Sequence, residues 1–365
     1  MQQIYKNCDM SRHQFVIAAY KEAQMRFPKL NEFPNLIFIP DRGGKIKRIL
    51  FFFSLLKNAD HIIWHSLFFT TRKYLYFLYF FKSLQKKSTW IEWGADLYSW
   101  EINNPNRKQK ILNKIGKTVR ERFQNIGLIF PIDEIVYRQK YGESHKFYYT
   151  PMPNPMKEPT GLLDFIDQNR PQNQTSGRKY LIQVAHNSFF FNNHIKLLNY
   201  LEHFKNEDMH LLLPLTYGVS GINGMFGGKQ YLNAVKSYAK RRFKEKACLM
   251  TRNVPFEQYV RLLWQVDCAV FDFERPCALG NIRILLYMGK KVYLPAGTPF
   301  YNFFIEHGIK VYDTNRIPDM TFEEFIAPPE DSNLEWIRDY MNNDSCIKHW
   351  QEMFDAIAED DKESI

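Results

Sequence analysis

The stretch Pro151-Met152-Pro153-Asn154-Pro155-Met156-Lys157-Glu158-Pro159, continued through Pro171 to Arg178 by Asn, Gln and Ser, divides this chain in two. Proline fixes φ and withholds an N–H, so this density interrupts helix and sheet alike and reads as a linker over 151–178. Before it, short apolar runs alternate with longer amphipathic ones. Strands are expected at Leu36–Pro40, His61–Ser66, Thr89–Trp93, Ile126–Pro131 and Lys146–Thr150. Helices are expected at Gln14–Phe27, Gly44–Lys57, Arg72–Gln85, Lys108–Gln124 and Ile132–Tyr141. After the linker the rhythm resumes. Strands fall at Tyr180–Ala185, His210–Leu215, Cys248–Met250, Asp267–Phe271, Lys291–Leu294 and Lys310–Tyr312, with helices between them. Such alternation predicts largely parallel sheets covered on both faces. The chain therefore reads as an α/β domain over 1–150, the linker, a second α/β domain over 179–330, and helices with an acidic tail over 331–365.

Composition narrows the class. With 31 Phe, 21 Tyr and 7 Trp in 365 residues, the chain has apolar surface enough to offset its conformational entropy, which excludes disorder as its main state. Five cysteines without a CxxC pair argue against a disulfide framework or a zinc module. No run approaches the roughly 20 apolar residues that span a bilayer. The formal charge of +10 is uneven: residues 1–150 hold 25 Lys and Arg against 12 Asp and Glu, and the remainder 24 against 27. The first half therefore suits an anionic partner. Lys47 and Arg48 run into Ile49–Leu56, and Arg72 and Lys73 precede Tyr74–Phe81. Aromatic runs with basic flanks suit the headgroup region of an anionic leaflet, and they equally suit buried helices of an α/β domain. The basic stretch Arg107–Arg122 reads as a phosphate-facing or a solvated helix face. No recognisable basic helix or aromatic sheet motif points to nucleic acid.

The residues that carry chemistry lie at strand ends. There is no Walker A sequence, HExxH, GxSxG or GxGxxG after a strand. The segment from Phe271 to Asn281 leaves a strand, turns at Arg275-Pro276 and enters a helix at Gly280. Glycine there lets a diphosphate approach the helix N–H groups, and Arg275 pairs with its charge. A glycine-rich loop from Gly218 to Gly228 is a second phosphate candidate or a plain flexible loop. Asp272 and Glu274 form an acid-x-acid pair, but the adjacent Arg275 competes with a cation, and no metal is expected. In the first domain, Trp93-Gly94-Ala95-Asp96 sets Asp96 at a strand's carboxyl end. It is expected either to take a proton from an acceptor hydroxyl or to cap the next helix, with His13 and His65 as other bases.

These residues resemble a known family. Trp93-Gly94-Ala95-Asp96-Leu97-Tyr98 is similar to the WGADLY block of the bacterial TDP-N-acetylfucosamine:lipid II N-acetylfucosaminyltransferases, glycosyltransferase family 56. Asn187-Ser188 with Asn193-His194, then Leu213–Gly218, then Arg275–Leu294 resemble its later blocks in the same order. The resemblance implies a GT-B fold, two Rossmann-like domains facing across a cleft. It implies an inverting, metal-independent enzyme that needs no cofactor beyond its dTDP- or UDP-linked sugar. Its acceptor would be a polyprenyl-diphosphate-linked saccharide at the cytoplasmic face of the inner membrane.

On that resemblance the donor is expected at Asn187, Ser188, Asn193, His194, Thr216, Tyr217, Gly218, Arg275, Gly280 and Asn281. The acceptor and the anionic inner-leaflet lipid are expected at Lys47, Arg48, Arg72 and Lys73. The sequence departs from the pattern twice. His186 stands in place of glycine, and Phe189-Phe190-Phe191 is apolar where polar residues are expected. A different nucleotide sugar, or a non-catalytic protein on the same scaffold, are the alternatives.

Overall fold

The computed structural model describes residues 9–17, 33–39, 44–67, 73–98, 101, 105–152, 162–169, 179–216, 228–329, 336–338 and 343–363. The chain forms two compact units, Met1–Pro153 with Asp344–Ile365, and Asn154–Asn343.

In the first unit, β1 (Phe15–Ile17) pairs in parallel with β2 (Leu36–Phe38). Gln14–Phe27 was expected to be helical, but Phe15-Val16-Ile17 is a strand. Its two β-branched residues and one aromatic favour the pleated state. The chain continues through α1 (Gly44–Asn58), β3 (Ile62–His65), α2 (Lys73–Phe80), α3 (Lys82–Lys86), β4 (Ser88–Ile91) and α4 (Ala95–Tyr98). It then runs through α5 (Arg107–Glu121), β5 (Asn125–Leu128), α6 (Asp133–Tyr141) and β6 (Lys146–Tyr149). Strands β3 to β6 form a parallel sheet in sequence order. Side chains alternate across it. Trp64, Trp90 and Ile126 join Leu78, Phe123 and Tyr137 in one core, while Ile63, Ile91 and Tyr148 face the other way. Gly127 lies beneath that second face, where a Cβ would press on the tip of Ile91 and on the Thr150 side chain, so a larger residue there requires both to shift.

The second unit opens with α7 (Leu162–Asn169), inside the stretch expected to be linker. Two turns of helix form there because Ile166 is fully buried, Phe165 meets Trp264 edge-on at 5.9 Å, and Tyr287 Oη donates to Asp167 at 2.8 Å. Then follow β7 (Tyr180–Val184), α8 (His194–Leu201), β8 (Met209–Pro214), α9 (Gly228–Phe243), β9 (Ala247–Met250) and α10 (Phe256–Trp264). The unit closes with β10 (Cys268–Val270), α11 (Leu279–Tyr287), β11 (Lys291–Leu294), α12 (Pro299–Glu306), β12 (Tyr312–Asp313) and α13 (Phe322–Ile326). All six strands are parallel, in the order β12-β11-β10-β7-β8-β9. That is the doubly wound dinucleotide-type order, and it reverses between β7 and β10.

The last helix, α14 (Asn343–Glu363), belongs with the first unit. Trp350, Met353 and Ile357 cover the Ile91 face of the first sheet, and Lys146 pairs with Asp360 at 2.7 Å.

Candidate functional site

In an open parallel sheet the crevice lies where strand order reverses, at the carboxyl ends of the two diverging strands. Here those ends belong to β7 and β10. The chain leaves β7 through Ala185 and His186, and leaves β10 through Phe271 and Asp272. Gln183, buried in β7, donates to Ala185 O at 2.8 Å and to Asn281 Oδ1 at 3.1 Å. Asn281 Nδ2 in turn donates to Tyr259 Oη. Asn193 Nδ2 donates to Asp272 O at 3.1 Å, and Thr314 Oγ1 to Phe271 O at 2.8 Å. The exits of β7, β10 and β12 are thus tied together by side-chain amides and a hydroxyl.

The loop after β7 is built on Asn187. Its Oδ1 accepts from Phe189 N at 2.9 Å and from Asn192 Nδ2 at 2.7 Å, while its Nδ2 donates to His186 Nε2 at 2.7 Å. His186 is therefore a neutral imidazole. Burial, helped by the charge of Arg275, pushes its pKa down to about 3. His194, at the start of α8, is held by Tyr231, whose hydroxyl lies 3.0 Å from Nδ1, and burial lowers it to about 4. Arg275 projects over the Phe191 ring, with Cζ 4.2 Å from the centroid, and Phe189 packs against Phe191 at 5.2 Å. The apolar loop thereby acquires a task, since it props the guanidinium by a cation–π contact.

Helix α11 begins at this crevice. Its cap, Ala278, has φ +58° and makes no side-chain capping bond, so the first-turn N–H groups keep their donor capacity. A Cβ on Gly280 would meet nothing within 4 Å. Packing therefore does not require glycine there; its absence of side chain leaves the helix entry clear. Backbone strain gathers at the same edges. Of the five described non-glycine residues with positive φ, Ala185, Asn193 and Ala278 line this crevice and Ser66 follows β3. Such conformations cost about 1–3 kcal/mol each and concentrate at functional loops.

The structure thus brings together Asn187, Ser188, Asn193, His194, Arg275, Gly280 and Asn281. Thr216 leaves β8 beside them, and Tyr217 and Gly218 lie outside the described residues. Asp272 is engaged by Lys196, with Nζ 2.9 Å from Oδ2 and 3.0 Å from Oδ1. Among the described residues no group of three His, Cys, Asp or Glu is arranged to hold a metal ion. Gln183, Lys196, Tyr231, Tyr259 and Thr314 were not anticipated. Gln183 alone left a signal, as the one polar residue in Tyr-Leu-Ile-Gln-Val.

In the first unit the Trp93–Tyr98 turn stands at the carboxyl end of β4, but Asp96 does not stand at its open edge. The side chain is fully buried. Oδ2 accepts from Leu67 N and Trp90 Nε1, both at 2.7 Å, and Oδ1 from Trp93 N at 2.8 Å. The carboxylate is turned inward and holds the turn, which is nearer to the capping role the sequence offered than to a base facing an acceptor. Glu92, also unanticipated, accepts from Gly94 N at 2.6 Å and Ile129 N at 3.3 Å. Burial first, then the charges of Asp133 and Asp96, raise its carboxyl well above its ordinary value. His13 packs on Phe354 at 4.6 Å and His65 stacks on Trp350 at 5.7 Å. Lys47 is exposed and Arg48 half-buried on α1; Lys73 opens α2 with its side chain outside the described residues, as is the whole of Arg72.

A family model described as 4-alpha-L-fucosyltransferase, glycosyl transferase group 56, matches residues 3–324. Among solved structures, HepE of Anabaena in complex with UDP and glucose superposes with a TM-score of 0.60 at 10% identity, covering 92% of this chain and 89% of that one. Sucrose-phosphate synthase from Thermosynechococcus elongatus gives 0.60 at 10% identity, covering 89% and 84%. The UDP-forming trehalose-phosphate synthase of Burkholderia vietnamiensis gives 0.56 at 10%, covering 86% and 77%. These are GT-B folds, and the likeness is one of fold.

Proposed function

From the chain's membership of the 4-alpha-L-fucosyltransferase family, group 56 of the glycosyltransferases, we propose a specific transfer. A deoxyamino sugar such as N-acetylfucosamine passes from a nucleotide diphosphate to a polyprenyl-diphosphate-linked saccharide in bacterial surface polysaccharide synthesis. The observation that carries the donor side is the crevice between β7 and β10, where Arg275 and the uncapped start of α11 converge. Two phosphates of a departing nucleotide need fixed donors and positive charge, supplied without reorganisation. The N–H groups of α11 and the guanidinium on Phe191 offer both, and the neutral amides of Asn187 and Asn193 set the loop around them. The acceptor hydroxyl attacks the anomeric carbon as the bond to the diphosphate breaks, the nucleoside diphosphate leaving with that bond's electron pair and the hydroxyl proton passing to solvent. No cofactor beyond the nucleotide sugar and no metal enters this reading, since the carboxylate best placed to bind one, Asp272, is held by Lys196.

The first unit takes the acceptor and lies against the cytoplasmic face of the inner membrane, with anionic lipid and not nucleic acid as its partner in this reading. What favours this is that α1 and α2 leave Ile46, Leu50 and Phe80 exposed, beside the exposed Lys47. No described helix is long and apolar enough to cross a membrane. The donor side is tested by thermal unfolding of the full chain with UDP, dTDP and GDP and their sugars, since a ligand of the native state raises Tm with the logarithm of saturation. A shift with one nucleotide family, reduced in Arg275→Ala, is expected. No shift with any nucleotide overturns the assignment of the crevice.

A further inference from the structure

The buried carboxyls of the first unit serve a residue that neither of them resembles chemically. Asp96 and Glu92 together accept five hydrogen bonds within a few residues of chain, including those from Trp93 N and Gly94 N. The turn is further closed by Ala95 N to Trp93 O at 3.0 Å and by Leu97 N and Tyr98 N to Gly94 O at 3.0 and 2.8 Å. Arg120, also buried, donates to Asp96 O at 3.0 Å. Burying two carboxyls is costly unless hydrogen bonds compensate, and a buried network so satisfied is rigid. The shape fixed is the presentation of Trp93, which is 46% exposed, whereas Trp64, Trp90 and Trp350 of the same unit are buried.

Trp93 follows the carboxyl end of β4, on the edge outside which α/β sheets bind ligands, although the order β3-β4-β5-β6 has no reversal to mark a crevice there. His65 ends the adjacent strand in register with Ile91, its ring stacked on Trp350 of α14, so an imidazole stands at the same carboxyl edge of the sheet. A rigid aromatic face beside a hydrogen-bonding ring is what a pyranose requires. Its C–H face stacks on the indole, and its hydroxyls need polar partners at the rim. Helix α1 points the same way. Its last turn lies at the amino edge, where Lys87 Nζ donates to Lys57 O at 3.0 Å, so its first turn, with exposed Ile46 and Leu50, runs toward the carboxyl edge that carries Trp93.

We infer that Trp93 is the stacking platform for a pyranose ring of the acceptor saccharide, with Asp96 and Glu92 as the residues that position it. This rests on reading the chain as a transferase to a lipid-linked saccharide. The test uses the full chain labelled with 5-fluorotryptophan, the Trp93 resonance being assigned with Trp93→Phe. Methyl N-acetyl-β-glucosaminide at tens of millimolar is expected to shift that resonance saturably, and myo-inositol to leave it unmoved. In turnover with polyprenyl-diphosphate-linked N-acetylglucosamine and the nucleotide sugar that shifts Tm most, Trp93→Ala is expected to raise the acceptor KM about tenfold. The nucleotide-induced Tm shift stays unchanged, and Trp93→Phe restores most of the acceptor KM. An acceptor KM for Trp93→Ala within about twofold of wild type, or a Trp93 resonance unmoved by the glycoside, overturns the platform. If the wild type transfers nothing to the lipid-linked probe while the resonance still responds, the acceptor class fails and the platform stands.

Discussion

Asp96 has two oxygens and three donors, Leu67 N, Trp90 Nε1 and Trp93 N, all buried or half-buried. Asparagine has the same shape but one acceptor oxygen, and its amide group turns an N–H toward a donor. One buried donor then loses its partner, at a cost of about 2–4 kcal/mol. Asp96→Asn is therefore expected to lower the urea midpoint of the full chain markedly, and Asp96→Ala more so, with the nucleotide-induced Tm shift retained in the folded protein. Wild-type stability combined with lost turnover would return Asp96 to the chemistry. The turn itself was legible in the sequence, because an apolar run ending at Trp93-Gly94 announces a strand exit. The direction of the Asp96 side chain was not. Its partners Leu67 and Trp90 come from the neighbouring strand's exit and from within β4, and spacing along one segment does not report them. Arg120 repeats the lesson. It sits in a basic stretch readable as a solvated face, yet it is buried over the Trp90 ring at 5.3 Å and bonds Gly116 O at 3.0 Å.

Helices α1 and α2 show a conflict that one element cannot resolve alone. Phe53 of α1 packs against Phe77 and Phe81 at 6.0 and 4.9 Å, and Phe52 against Trp64 at 6.3 Å, so one face of the pair is core. The other face leaves Ile46 74% and Phe80 69% exposed. Seven of the sixteen exposed large apolar side chains among the described residues lie between Ile46 and Phe81. From Arg42 to Ile91 the chain holds ten Lys and Arg and one acid, Asp60. An apolar face in a basic field matches an anionic bilayer surface, where burial and counter-charge add. Co-sedimentation with vesicles of phosphatidylglycerol in phosphatidylcholine is expected to capture the full chain. Ile46→Ser with Leu50→Ser should release it, and Lys47→Glu with Arg48→Glu should make binding collapse at lower salt; unaltered binding in both pairs removes the lipid partner. The sequence left open whether these runs were core or interface, and they are both, one face each. It missed α7 for a related reason. The prolines on either side of Leu162–Asn169 in the sequence read as one linker, and the partners that make the segment helical, Trp264 and Tyr287, lie about a hundred residues on.

Across the whole molecule, the chain leaves the first unit at Pro153 and returns to it at Asp344. Pro151 O accepts from both Cys346 Sγ at 3.1 Å and Trp350 Nε1 at 3.0 Å, so the segment that departs is fastened to the one that returns. The buried imidazoles and the buried carboxyl respond to protons in opposite senses, and in the first unit burial holds His65 near 4. In the second, burial holds His186 near 3 and His194 near 4, against an ordinary value of 6.5. Unfolded imidazoles take up protons that the folded ones refuse, so this stabilisation is complete above about pH 6.5 and is lost as pH falls toward those values. In the first unit, Glu92 is raised, facing Asp133 and Asp96 in a setting that also holds Tyr98, Arg120 and Lys140. A raised carboxyl contributes fully below its ordinary value of 4.5 and less as pH rises toward its folded value. Glu92→Gln keeps an acceptor for Gly94 N but has no proton to lose. Its urea midpoint is therefore expected to gain on wild type progressively as pH rises above 4.5. Wild type itself should lose stability below about pH 6.5 with a slope approaching two protons, the uptake of three unfolded imidazoles (His65, His186 and His194) less the one proton that folded Glu92 retains. A difference between variant and wild type that stays constant with pH would mean Glu92 is already ionised in the fold, and the Trp93 turn would then rest on charge rather than on a retained proton.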